Sequence, residues 1–354
     1  MNLTKPLDLF PGEVARIDAV RGFLCFYVFC FHFYEDSLRK TVLDSEFLRF
    51  LLFQGYVAVH IFFALSGFLI LRSYVATLSQ YPVRYNEVFF LRRIFRIFPA
   101  WGVSLLAIAV YRGELDLNNY LWNFFFLFGL QPFSLDQLLS YPSWSLYVEE
   151  IFYLCFPFFF LLLRKNLGLL LVISYVVLNL LFHYWVQIPK GMYLYTPINS
   201  FYYFFFGIGA YFLVPLLRNS AKSSWAFATT FVLTLFTTFV VKEKGLLTEV
   251  YILFWLYYIF SNPGAFMRFF TKLFGPIGKI CFSFYLLHPL ALWLPHHDRI
   301  HPHLMSISQA LPLRLGLEFC MSLSIALLAG YILYSYVEKP FVQLGKSLAM
   351  KVQP

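Results

Sequence analysis

The chain has 354 residues, of which 60% are hydrophobic and 13% charged, with 46 Phe and a formal net charge of +9. This composition excludes an ordinary soluble domain and reads as a polytopic membrane protein. The positive balance reads as cytoplasmic-loop bias, not as nucleic-acid binding.

Residues 1–16 hold Pro6, Asp8, Pro11, Gly12 and Glu13 and show no short apolar stretch followed by a cleavage site. The first apolar helix is therefore expected to act as an uncleaved anchor. Runs long enough to span lie at 17–34, 50–72, 97–111, 144–163, 167–186, 199–217, 224–241, 246–260, 278–294 and 311–337. The run 120–131 is too short for an ordinary span and is read as re-entrant. With a cytoplasmic N-terminus, that reading places most Lys and Arg residues inside, whereas a crossing at 120–131 would reverse the bias. The expected fold is an all-α bundle of about ten transmembrane helices with both termini cytoplasmic. Residues 1–16 form an N-terminal segment, 17–341 a membrane domain and 342–354 a cytoplasmic tail. The five cysteines all sit in apolar runs without metal-ligand spacing, so neither a disulfide nor a metal site is expected.

Arg21 and His32 lie eleven residues apart in IDAVRGFLCFYVFCFHF. Eleven residues return a helix to within about 20° of the same face and raise it roughly 16 Å. Asp18 and Cys25 share that face. Ionisable groups inside a bilayer are costly and usually line a site or pathway, although Arg21 near a helix end can also snorkel to the interface. Glu149 and Glu150 in PSWSLYVEEIFY and His288 in CFSFYLLHPL fall at the depth of His32 in this topology. A shared interior cavity is the economical arrangement. The two glutamates differ by about 100° around their helix, so one of them should face it. In FLRRIFRIFP, Arg92, Arg93 and Arg96 form one basic patch on a helix. Their guanidinium groups match phosphate geometry, and anionic lipid headgroups would suit them as well. Ser66–Gly67 in an apolar helix reads as close packing in preference to a nucleophile. His296, His297, Asp298, His301 and His303 fit a polar outer loop better than a metal site.

These segments resemble the acyltransferase-3 family of integral-membrane acyltransferases, over about Ile17 to Phe341. The first-helix segment resembles the family's Arg and His separated by ten residues. GYVAVHIFFALSGFLI resembles the second-helix block, FLRRIFRIFP the arginine motif and PSWSLYVEEIFYLCFP the Trp-Ser-Leu-x-x-Glu block. ICFSFYLLHPL and VEKPF resemble the last two blocks. The chain departs from the pattern at His60, where the family usually has an acidic residue, and at Ala58, where it usually has Gly. The resemblance is to the stand-alone form, which lacks an esterase-like extension.

The resemblance implies transfer of an acyl group, most often acetyl, from a cytoplasmic thioester such as acetyl-CoA. The acceptor would be a hydroxyl of a glycan or glycolipid, such as lipopolysaccharide O-antigen or exopolysaccharide, at a bacterial inner membrane. On this reading Arg92, Arg93 and Arg96, with Arg21 further in, hold the donor phosphates. His32 acts as base, and Glu149 or Glu150 orients it. A covalent acyl-histidine stays open beside direct transfer. A proton-coupled transporter or flippase would use similar buried charges, but it predicts inverted repeats that the sequence does not display.

Overall fold

Pro11 opens the first helix, where a missing N–H costs nothing and φ is already helical. Glu13 accepts a hydrogen bond from the Phe10 N–H at 2.9 Å and so satisfies a free donor at the helix start. Helix α1 consequently runs Pro11–Phe33 and begins before the apolar run does. A computed structural model describes residues 3, 5–39, 41, 43–46, 48, 52, 55–130, 138–165, 197–220, 244–260, 265–297, 300, 302 and 310–351. Among the described residues all regular structure is helical. After α1 come α2 (Gly55–Gln80), α3 (Tyr85–Arg112), α4 (Leu117–Phe124), α5 (Ser143–Arg164), α6 (Pro197–Ser220) and α7 (Lys244–Phe260). Then follow α8 (Ala265–Lys279), α9 (Cys281–Trp293), α10 (Leu311–Leu333) and α11 (Lys339–Lys351).

Four helices, Val57–Gln80, Tyr85–Arg112, Ser143–Arg164 and the continuous Leu311–Lys351, are long and apolar enough to cross a bilayer. A fifth span arises if the bent pair Arg268–Lys279 and Cys281–His296 is counted as one. The described residues thus account for four or five of the ten expected spans. The runs 167–186 and 224–241 lie outside the described residues. α1 is long enough but carries Arg16, Asp18 and Arg21 along its first half.

Several boundaries differ from the sequence expectation. The run 278–294 is not one straight helix, because the chain bends by 76° between α8 and α9. The short run 97–111 is the end of a 28-residue helix that carries the arginine motif through Pro99. At about 1.5 Å per residue, that helix is longer than the hydrocarbon core is thick, which gives the arginines a place beyond it. The described part of the run 120–131 holds the end of α4 and a 3₁₀ turn at Leu127–Leu130. α4 is strapped to α3 by Tyr120 OH donating to Gly102 O at 3.0 Å and Trp101 Nε1 donating to Phe124 O at 3.3 Å.

The described residues nearest both ends pack on the bundle. The Leu7 N–H donates to Tyr211 OH at 2.8 Å, and Arg72 Nε donates to Leu7 O at 2.9 Å. Arg218 on α6 grips buried Glu13 with Nε and Nη2, each at 2.7 Å. The segment 342–354, expected as a tail, is helical through Lys351. α10 passes through a π-helical turn at Tyr334–Glu338 into α11, which packs against α3.

Two contacts are close enough to exclude side chains. A Cβ on Gly207 would lie 1.7 Å from Ala64 O, and one on Gly278 would lie 1.8 Å from Asp18 O. α2 with α6, and α1 with α8, therefore meet backbone to backbone, the usual solution where helices associate in lipid.

Candidate active site

α1 and α9 lie side by side and parallel, and two side-chain pairs fix their register. Sγ of Cys25 is 2.7 Å from Sγ of Cys281, and both are free thiols. Seven residues further along each helix, His32 faces His288 with ring centroids 5.3 Å apart. Seven residues are about two turns, so a match at one position repeats at the other. Phe29 and Phe284 pack between them at 6.1 Å. Tyr141, just before α5, covers His32 at 4.2 Å, and its buried hydroxyl has no hydrogen-bond partner among the described residues.

Below the histidines lies an interior cavity of about 100 Å³. Its polar lining is Arg21 from α1, Ser66 from α2, Arg93 and Arg96 from α3, Ser145, Glu149 and Tyr153 from α5, and Cys281 and Tyr285 from α9. Glu149 Oε1 accepts from Ser66 Oγ at 2.8 Å and from Tyr153 OH. Arg93 donates to Tyr153 OH at 3.3 Å, and its guanidinium lies 4.6 Å from that ring's centroid. Tyr285 joins the two levels: its hydroxyl bonds Ser145 Oγ at 2.8 Å, while its backbone oxygen contacts His288 Nδ1 at 2.6 Å.

A second, larger cavity of about 850 Å³ opens at the basic end. Arg92, Arg93, Arg96, Tyr81 and Lys346 are among its lining residues. Arg93 and Arg96 line both cavities. Among the described residues, none of Arg21, Arg92, Arg93, Arg96 and Lys346 is closed into an ion pair. Buried Glu338, on the π-helical turn, accepts from Ser283 Oγ at 2.6 Å.

The structure divides the residues singled out from the sequence. Arg21, Arg93, Arg96 and Glu149 share the inner cavity, and Arg92 lines only the outer one. Glu150 lines neither, and its Oε1 is buried without a hydrogen-bond partner among the described residues. His32 sits above the cavity with His288. Among the described residues no hydrogen bond joins His32 to Glu149 or Glu150, and Glu149 Oε1 accepts from two hydroxyls. Ser66 donates to that carboxylate at 2.8 Å, and a Cβ on the neighbouring Gly67 would lie 2.0 Å from Phe204 O, so this stretch of α2 packs closely on α6. His60 stacks on Tyr203 at 4.2 Å and lines neither cavity. No group of three His, Cys, Asp or Glu among the described residues is placed to hold a metal. Asp298, His301 and His303 lie outside the described residues.

Sequence reasoning did not single out Tyr141, Tyr153, Ser145, Tyr285 or Lys346 for the site. One usable signal was present. Cys and His recur with six residues between them in CFYVFCFH and again in CFSFYLLH, which is the register that pairs α1 with α9.

Two cavities that share Arg93 and Arg96, a buried carboxylate on the inner one and a histidine pair outside both are the parts that a membrane-embedded group-transfer enzyme would need. The family model described as "Acyltransferase domain" matches residues 14–335. The chain therefore belongs to the acyltransferase-3 family. It is 29% identical over 197 residues to the peptidoglycan O-acetyltransferase OatA of Listeria monocytogenes serovar 1/2a. That match covers 47% of this chain and 31% of the relative, so the chain spans about a third of the relative's length. No solved structure matches the chain significantly.

Proposed function

We propose that this protein moves an acetyl group from cytoplasmic acetyl-CoA to a sugar hydroxyl of an envelope glycan on the far side of a bacterial plasma membrane. The observation that carries this reading is that Arg93 and Arg96 line both cavities. A donor that carries its phosphates at one end and its thioester on a long thin arm fits that layout. The phosphates rest on Arg92, Arg93, Arg96 and Lys346, and the arm passes Arg21 toward His32, a rise of roughly 16 Å. The named relative adds peptidoglycan to O-antigen and exopolysaccharide as acceptors of the same chemistry.

In the transfer, the acceptor oxygen forms a bond to the thioester carbon and the C–S bond breaks. His32 takes the hydroxyl proton, and the departing thiolate leaves protonated as the thiol. Glu149, held by Ser66 and Tyr153, anchors the wall against which Arg93 rests. Inverted membrane vesicles given labelled acetyl-CoA test the whole reading. The expected result is base-labile label in lumenal glycan, lost with His32→Ala. Label that never leaves CoA in vesicles containing acceptor glycan would contradict it.

A further inference from the structure

Proline at 289 lacks the N–H that would donate to the carbonyl four residues back, so Tyr285 O loses its helical partner. His288 Nδ1 lies 2.6 Å from that oxygen. A carbonyl only accepts, so Nδ1 carries the proton and Nε2 is left as a bare acceptor. His288 is 1% exposed, and its Nε2 has no hydrogen-bond partner among the described residues. The ring facing it is His32, with centroids 5.3 Å apart. Two imidazoles joined head to head by an N–H···N bond of about 3 Å have centroids about 5 Å apart. The separation needed is already built, and ring rotation completes the bond.

We propose that His288 is the positioning residue for His32. Its Nε2 accepts the ring N–H of His32, which fixes the tautomer whose other nitrogen is free for the acceptor's proton. The chain Tyr285 C=O, His288, His32 then does what an orienting carboxylate does elsewhere. It explains why Glu149 can be committed to Ser66 and Tyr153, and why a proline follows the histidine. The inference rests on the reading of His32 as base.

The test uses the full-length protein in nanodiscs with histidine-selective ¹⁵N labelling. The variants are His288→Phe, which removes the acceptor, His288→Gln, which keeps an acceptor oxygen, and Pro289→Ala, which returns a donor to Tyr285 O. All three should bind acetyl-CoA as the wild type does. His288→Phe should lower kcat about a hundredfold, and His288→Gln should recover to within about tenfold of wild type. Pro289→Ala should lower kcat about tenfold and give mixed His288 tautomers. His32 should show one tautomer in wild type and a mixture in His288→Phe. The inference is overturned if His288→Phe keeps wild-type kcat, if Phe and Gln lose activity equally while binding donor, or if wild-type His32 is already mixed. Should wild type fail to consume acetyl-CoA, the donor reading falls, while the tautomer comparison still decides the histidine pair.

Discussion

Replacing Arg93 with Lys keeps the charge and removes the fork. Arg93 is the arginine whose neighbours are best defined: it donates to Tyr153 OH, and its guanidinium lies 4.6 Å from the Tyr153 ring and 5.5 Å from that of Phe89. Those aromatic contacts hold the planar group where both cavities reach it. A charge-assisted hydrogen bond to phosphate contributes about 1.5–3 kcal/mol, and a fork supplies two in fixed geometry. Reducing the fork to a point charge should cost about 1.5 kcal/mol of donor binding, or roughly tenfold in Kd. Arg93→Ala should cost about twice that, near a hundredfold. Arg92→Ala, which touches only the outer cavity, should cost less than tenfold. Titration of acetyl-CoA into nanodisc-embedded protein reads these values, with kcat at saturating donor as the control. Because Arg93 also holds Tyr153 beside Glu149, a modest fall in kcat is expected for the Ala variant alone. Equal donor affinity for wild type, Arg93→Lys and Arg93→Ala would refute the assignment of Arg93 to the phosphates.

Other consequences follow from single contacts. Glu13→Gln leaves Arg218 facing a neutral partner at a site where the Glu13 side chain is 2% exposed; it should destabilise the protein by about 3 kcal/mol, seen as a lower melting temperature with donor Kd unchanged. Ser66→Ala removes a donor to Glu149 but no nucleophile; turnover should persist, and a stable acyl-serine found by mass spectrometry would contradict the assignment. Mild oxidation should join Cys25 to Cys281 and so tie α1 to α9, detected as a link surviving cleavage of the intervening chain; failure to join them while Cys30 or Cys320 does form links would contradict the parallel register. Gly278→Val should abolish folded protein, because its side chain would meet the Asp18 carbonyl.

The features legible in sequence were those set by local periodicity and by the cost of charge in lipid. Arg21 and Glu149 stand out as expensive residues in apolar runs, Arg93 and Arg96 as a basic patch at helical spacing, and the four share a cavity in the fold. The limits of runs were less legible. The cluster Arg92, Arg93 and Arg96 cuts the apolar run short at residue 97, although the helix that carries it starts at Tyr85. The bend between α8 and α9 follows Gly275, Pro276, Gly278 and Lys279, a breaker signal that hydropathy alone passes over. Partner choice was the least legible. A carboxylate beside a histidine is the ordinary expectation, yet Glu149 is taken by hydroxyls from two helices, a fact of tertiary packing. Tyr285 reaches the site through a backbone oxygen, which no side-chain motif announces.

The most direct test of the account is CoA release from acetyl-CoA by purified protein in nanodiscs supplied with a crude envelope-glycan extract. Wild type, His32→Ala and the Arg93→Ala, Arg96→Ala double variant would be compared. The account predicts turnover by wild type, donor binding without turnover by His32→Ala, and loss of donor binding by the double variant. Wild-type turnover that survives in His32→Ala, or donor binding that survives in the double variant, would contradict it.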